Sequence, residues 1–260
     1  MALGVLAPAE LEVREVSKSY GGLRAVADVS FGVRGGDVLG VAGPNGAGKT
    51  TLFDVVTGLT RASGGDVLLD GVSIATRSVH RRCHLGLART FQQPTVAGSL
   101  TVYENVLLGA SFGRPQEHWQ GLDDGIEGFV GLLLDLTGLT DKASAEAALL
   151  GVFDKKRLML ASALATGPRV LLLDEPFGGL NPQEIESTLE LIQRIRGLGV
   201  AVVCIEHVMR ALVRLAGRVV VMHHGTILFE GSPAEMLANE QVIAVYLGQR
   251  AGVGRGKATE

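Results

Sequence analysis

Apolar positions along this chain fall into two patterns that predict two kinds of strand. Val38-Leu39-Gly40-Val41-Ala42, Val170-Leu171-Leu172-Leu173 and Val200-Ala201-Val202-Val203-Cys204-Ile205 run without interruption, as strands buried on both faces of a parallel sheet do. Residues 11–16 (Leu-Glu-Val-Arg-Glu-Val) alternate instead, which predicts an exposed edge strand. Ser17-Lys18-Ser19-Tyr20-Gly21-Gly22 then turns the chain into Ala25-Val26-Ala27-Asp28-Val29-Ser30-Phe31, giving an antiparallel layer beside the main sheet. Val67-Leu68-Leu69 ends in Asp70-Gly71, a hairpin signal. Residues 51–56 and 183–197 have helical spacing, and from about 95 to 165 the pattern is helical, with an apolar block at 128–139. A polar stretch holding Trp119 predicts a loose hinge near 113–125. Arg218 to Met222 and Thr226 to Phe229 pair as a last hairpin through His223-His224-Gly225, and Ser232 opens a capped helix. The expected architecture is α/β: a parallel-sheet core with its antiparallel layer from residues 1–90 and 166–248, a helical subdomain inserted at 91–165, and a disordered tail at 249–260.

Composition narrows the function. The chain has 260 residues, enough for a substantial core, and its hydrophobic fraction of 47% against 5% aromatic makes that core aliphatic. A net charge of −3, with both signs spread along the chain, argues against a nucleic-acid surface. Cys83 and Cys204 lie far apart and in no metal-ligand spacing, so both are expected as reduced thiols. The first residues lack a charged leader pattern and no apolar run is long enough to span a bilayer, so any membrane connection is expected through a partner.

The candidate chemistry starts at Gly43-Pro44-Asn45-Gly46-Ala47-Gly48-Lys49-Thr50-Thr51. Gly, four residues, Gly-Lys and Thr is the phosphate-binding loop pattern: the glycines let N–H groups converge on an anion, Lys49 reaches the β- and γ-phosphates, and the Thr50 hydroxyl serves Mg²⁺. A buried-strand run precedes it and a helical segment follows, aiming a helix N-terminus at phosphate. Asp174 and Glu175 end a fully apolar strand, where ligands of open parallel sheets bind. Beside a phosphate loop, Asp174 would hold Mg²⁺ directly or through water, and Glu175 would accept a proton from, or orient, the attacking water; without that loop the pair reads equally as a helix cap. His207 also ends an apolar strand and is either structural or a donor to the γ-phosphate. Tyr20 is either a turn aromatic over the sheet edge or a platform for an adenine ring. Arg77, His80, Arg81 and Arg82 read as a solvated charged face, and His223-His224 as a turn rather than a metal site.

Taken together these motifs resemble the ATP-binding-cassette ATPase subunits over nearly the whole chain. The resemblance implies the P-loop NTPase core of that fold, ATP and Mg²⁺ as ligands, Tyr20 under the adenine, residues 43–51 as Walker A, and Asp174 and Glu175 as Walker B and catalytic base. It further implies Gln92 as the Q-loop glutamine, sharing Mg²⁺ with Thr50 and Asp174, residues 179–182 as the D-loop, and His207 as the switch histidine. Gly86-Leu87-Ala88-Arg89-Thr90-Phe91-Gln92 and Val242-Ile243-Ala244-Val245-Tyr246-Leu247-Gly248 look most like the ATPases of branched-chain amino acid importers, although lipopolysaccharide-export ATPases end similarly. Permease subunits, and through them a solute-binding protein, are the implied partners, on the inner face of the cell membrane. Uptake of urea or amides, a regulatory or DNA-repair cassette and a nucleotide sensor without hydrolysis are the competing readings. One departure stands out. Where the family carries Leu-Ser-Gly-Gly-Gln, this chain has Leu150-Gly151-Val152-Phe153-Asp154. In the family's head-to-tail dimer that motif closes on the partner's nucleotide, so its loss predicts a heterodimer with a second, different ATPase subunit.

Overall fold

The computed structural model describes residues 9–113 and 124–253, so the expected hinge around Trp119 lies outside the described residues. The chain opens with β1 (Glu10–Tyr20) and β2 (Leu23–Arg34), an antiparallel pair turned at Gly21-Gly22. β3 (Val38–Ala42) follows, buried throughout, and feeds α1 (Lys49–Thr57). β4 (Gly64–Leu69) and the short β5 (Val72–Ser73) are joined by Asp70 and Gly71 at φ 53 and 75, the paired positive φ that a two-residue hairpin needs. α2 (Val79–His84) leads to β6 (Leu87–Arg89). Then come α3 (Val102–Phe112), α4 (Gly125–Thr137) and α5 (Val152–Ala165), which pack on one another. β7 (Val170–Asp174), α6 (Pro182–Gly197), β8 (Ala201–Ile205) and α7 (Met209–Leu215) restore the α/β alternation. β9 (Arg218–His223), β10 (Thr226–Gly231), α8 (Pro233–Ala238) and α9 (Glu240–Val253) complete the described chain.

Two sheets result, in strand orders β2-β1-β4-β5 and β10-β9-β3-β8-β7-β6. In the second, β9, β3, β8, β7 and β6 are parallel and β10 is antiparallel to β9. β3, β7 and β8 are buried at every position, as their unbroken apolar runs predict. Gly40 in β3 is there for space: a Cβ would lie 2.8 Å from the Leu212 Cδ1 of α7. Capping boxes at Thr101/Glu104, Asn181/Glu184 and Ser232/Glu235 start α3, α6 and α8.

Three expectations need correction. β1 is not an edge strand, because it pairs with β2 on one side and β4 on the other. Alternation reports that one face is buried and says nothing about which strands come alongside. Arg82 does not belong to a solvated face: it is 2% exposed and donates to the carbonyls of Val55, Val56, Ala75 and Arg77, closing the end of α1. The tail expected to be disordered from 249 is helical through Val253, as part of α9, and residues 254–260 lie outside the described chain.

Candidate active site

The phosphate-loop pattern forms a tight connection from β3 into α1. Gly43 and Gly48 have φ 143 and 99, and a Cβ on either would sit 2.3 Å from a backbone oxygen, of Met222 and Ala25 respectively. Glycine is therefore required at both positions by contact as well as by dihedral. Gly48 is also the N-cap of α1 and brings no capping side chain, so the first N–H groups of that helix face the loop rather than a side-chain oxygen. Lys49 is buried, with its ammonium donating to Gly43 O at 2.7 Å and Pro44 O at 2.9 Å. Burial lowers its pKa, against the opposing charges of Glu175 and Asp174.

A cleft of about 740 Å³ opens over the loop. Its walls bring together Asn45, Gly46, Ala47, Gly48, Lys49, Thr50 and Thr51 with Tyr20, Gln92, Glu175 and His207. Tyr20, the last residue of β1, is 50% exposed, leaving ring surface available for a flat ligand; the Lys18 ammonium lies 4.8 Å from its centroid. Gly43 and Pro44 contribute the carbonyls that hold Lys49.

Asp174 ends β7 and is 4% exposed. Its Oδ2 accepts from Arg89 at 2.7 Å, and the same guanidinium reaches Asp54 at 2.6 Å. Burial raises the Asp174 pKa while Arg89 opposes the rise. Glu175 follows in the left-handed region at φ 50. One of its carboxylate oxygens accepts from Gln92 Nε2 at 2.7 Å and the other meets His207 Nε2. Glu175 thus holds both Gln92 and His207 at the cleft.

The altered motif lies elsewhere. Gly151 is the N-cap of α5 and makes no side-chain cap; Val152 is 55% exposed; Phe153 lies under the Arg157 guanidinium, 4.0 Å from the ring centroid; Asp154 pairs with Lys142 in the first turn. Leu150 is buried against the helical layer. None of these lines the cleft over the phosphate loop. His223 and His224 stack at a turn with centroids 4.0 Å apart, and among the described residues no group of His, Cys, Asp and Glu is arranged to hold a metal by itself.

Three residues that motif reading did not assign also meet here. Arg89 neutralises Asp174, Lys156 donates to the carbonyl of Glu175, and Glu206 accepts from the backbone beside His207. The available signal was weak: each is a charged residue in or next to an apolar element, and its partners are distant in sequence.

Similarity searches agree with this geometry. The family model described as ABC transporter matches residues 26–178, more than half of the chain. The chain belongs to the ABC transporter ATPase family. A second model, branched-chain amino acid ATP-binding cassette transporter, matches residues 226–252 of this ABC ATPase, spanning β10, α8 and most of α9. The high-affinity branched-chain amino acid transport ATP-binding protein BraF of Pseudomonas aeruginosa is 34% identical, with 92% of this chain and 98% of that protein covered. The lipopolysaccharide export system ATP-binding protein LptB of Haemophilus influenzae is 33% identical over the same shares of the two chains. Among solved structures, the ADP conformation of an ATP-binding cassette of an ABC transporter superposes with a TM-score of 0.81 at 28% identity, covering 92% of this chain and 99% of that one. The ABC ATPase therefore has an α/β cassette fold, binds nucleotide and is an ATP-hydrolysing enzyme. Among its described residues no helix is long and apolar enough to cross a membrane.

Proposed function

We propose that this chain is the ATP-hydrolysing subunit of an importer for branched-chain or other small amino acids, working at the cytoplasmic face of the membrane through permease subunits. The observation that carries the importer reading is the match of residues 226–252 to a segment characteristic of branched-chain amino acid cassettes. In this reading Tyr20 stacks on the adenine, and the N–H groups of residues 45–50 surround the β- and γ-phosphates. The Lys49 ammonium leaves the carbonyls of Gly43 and Pro44 for phosphate oxygens, which compensate its buried charge better than two carbonyls do. Thr50, Asp174 and Gln92 offer a hydroxyl, a carboxylate and an amide oxygen, a hard-oxygen donor set suited to Mg²⁺, with the Gln92 oxygen left free because its amide nitrogen is the atom on Glu175. When bound, Mg²⁺ neutralises charge on the β- and γ-phosphate oxygens. Glu175 gives up its contacts with Gln92 and His207 to orient the attacking water, and His207 donates to the γ-phosphate. The insertion at 91–165, reached through Gln92, carries the occupancy of the site to the permeases.

The companion subunit is proposed to differ from this one. At the start of α5 no Ser hydroxyl is present and Val152 fills a position where backbone would approach phosphate, while the Asp154 carboxylate is held by Lys142. A copy of this chain would therefore close its partner's nucleotide poorly. The test is ATP turnover of the full chain alone and mixed with a second, different cassette subunit offered as companion: turnover is expected only in the mixture and is lost with Glu175→Gln. Full activity of the chain alone, abolished by the same substitution, would remove the heterodimer. Export of lipopolysaccharide is the second reading, favoured by the LptB likeness; co-purification with amino-acid permeases rather than lipopolysaccharide-export membrane subunits separates the two.

A further inference from the structure

The turn that presents Glu175 is gripped from both sides by charged side chains, half-buried Lys156 and buried Glu206, that the chemistry above leaves unused. Glu175 sits at φ 50, a backbone conformation that a residue with a side chain keeps only where its surroundings impose it. Its N–H donates to Ile205 O at 2.9 Å. On the carbonyl side, Lys156 Nζ donates to Glu175 O at 2.7 Å and to Pro176 O at 3.2 Å. On the amide side, the Glu206 carboxylate, in a residue 1% exposed, accepts from Phe177 N–H at 2.8 Å. The other oxygen of that carboxylate accepts from His207 N–H at 2.8 Å and Val208 N–H at 2.9 Å. One buried carboxylate thus ties the backbone of the Glu175 turn to the backbone of His207. Lys156 lies on α5, the helix whose first turn carries the altered motif. Neither Lys156 nor Glu206 lines the nucleotide cleft. A buried charge such as Glu206 stabilises a fold less well than an apolar residue of equal volume, so its use here is better explained by geometry than by stability.

We propose that Lys156 and Glu206 are positioning residues: together they fix the spacing between the Glu175 carboxylate and the His207 imidazole at which water attacks the γ-phosphate. The inference rests on Glu175 being the residue that orients that water. In Glu206→Gln one acceptor oxygen is replaced by an NH₂ group facing backbone donors, and in Lys156→Met the carbonyls of residues 175 and 176 lose their cation.

The experiment is steady-state ATP turnover of the assembled transporter, full chain with companion cassette and permeases. Both variants are expected to lower kcat on the order of tenfold with KM for ATP changed less than about twofold, the pattern of lost transition-state geometry. Lys156→Arg, which can still donate to both carbonyls, is expected to recover most of kcat. The double variant is expected to be no slower than the slower single one, since either substitution frees the same turn. A raised KM with unchanged kcat, wild-type kcat in both variants, or Lys156→Arg as slow as Lys156→Met would each overturn the proposal. Should Glu206→Gln fail to fold, the Met and Arg variants at 156 decide it. Wild-type turnover in Glu175→Gln would overturn this proposal together with the role of Glu175. An inactive Glu175→Gln beside wild-type clamp variants would overturn the clamp alone.

Discussion

Arg82 closes the C-terminal end of α1 with its guanidinium, donating to Val55 O at 2.8 Å and Val56 O at 2.6 Å as well as to Ala75 and Arg77. Val55 and Val56 lie in the last turn of α1 and are buried, so their carbonyls rely on protein donors: Val55 O also accepts from Gly58 N–H, and Arg82 serves both. Arg82→Ala is expected to cost about 3 kcal/mol, because buried acceptors lose charged donors; an unchanged urea midpoint would count against that account. The two thiols make a second residue-scale case. Burial pushes the pKa of both upward, and that of fully buried Cys204 well above the ordinary thiol value, with the Glu206 and Asp174 charges adding to the rise. A raised pKa means less thiolate at neutral pH, so both react slowly and faster as pH rises. Cys204 is expected to resist a maleimide until the protein is unfolded, whereas half-buried Cys83 labels first. Labelling of Cys204 in the native protein at the rate of a free thiol would contradict its burial.

At the scale of elements, the helical layer depends on how closely α3 approaches α5. A Cβ on Gly109 of α3 would lie 2.4 Å from Ser162 O and 2.9 Å from the Ala165 Cβ, both on α5. Backbone cannot yield as a flexible side chain can, so Gly109→Ala is expected to destabilise by about 2 kcal/mol and lower the melting midpoint by several degrees. Gly131, on α4, is the contrasting site: among the described residues nothing lies within 4 Å of the added carbon. There Gly131→Ala is expected to stabilise by up to about 1 kcal/mol through helix propensity. Thermal melts of the two variants should therefore move in opposite directions, and movement in the same direction would show that the α3–α5 approach is looser than the structure has it.

For the whole molecule the question is what completes the site. The cleft over the phosphate loop collects the loop, Tyr20, Gln92, Glu175 and His207 from one chain, while no residue at the start of α5 lines it. If the altered motif is what keeps two copies from forming a competent pair, rebuilding it should produce one. Gly151→Ser combined with Val152→Gly and Phe153→Gly restores a hydroxyl and open backbone, and is expected to raise ATP turnover of the chain alone on the order of 100-fold, the scale of regaining preorganised donors at developing charge. If turnover stays unchanged, the N-terminus of α5 and Gly151 already suffice, and the companion subunit need not differ.

Much of this protein was legible in its sequence, for a physical reason: the features concerned are local. A phosphate loop needs its glycines, lysine and threonine contiguous, because adjacent N–H groups must converge on one anion. Strands buried on both faces must be apolar throughout, and hairpins and caps are set by residues within one turn, as at Asp70-Gly71 and Thr101/Glu104. Asp174, Glu175 and His207 could be picked out because they end such strands. What the tertiary structure alone decided concerns partners distant in sequence. The central place of β1 depends on β4 arriving at its second edge. The burial of Arg82 depends on α1 ending beneath it. The grip of Lys156 and Glu206 on the Glu175 turn joins three separate stretches of chain through backbone atoms that every residue possesses, so no side-chain pattern could announce it.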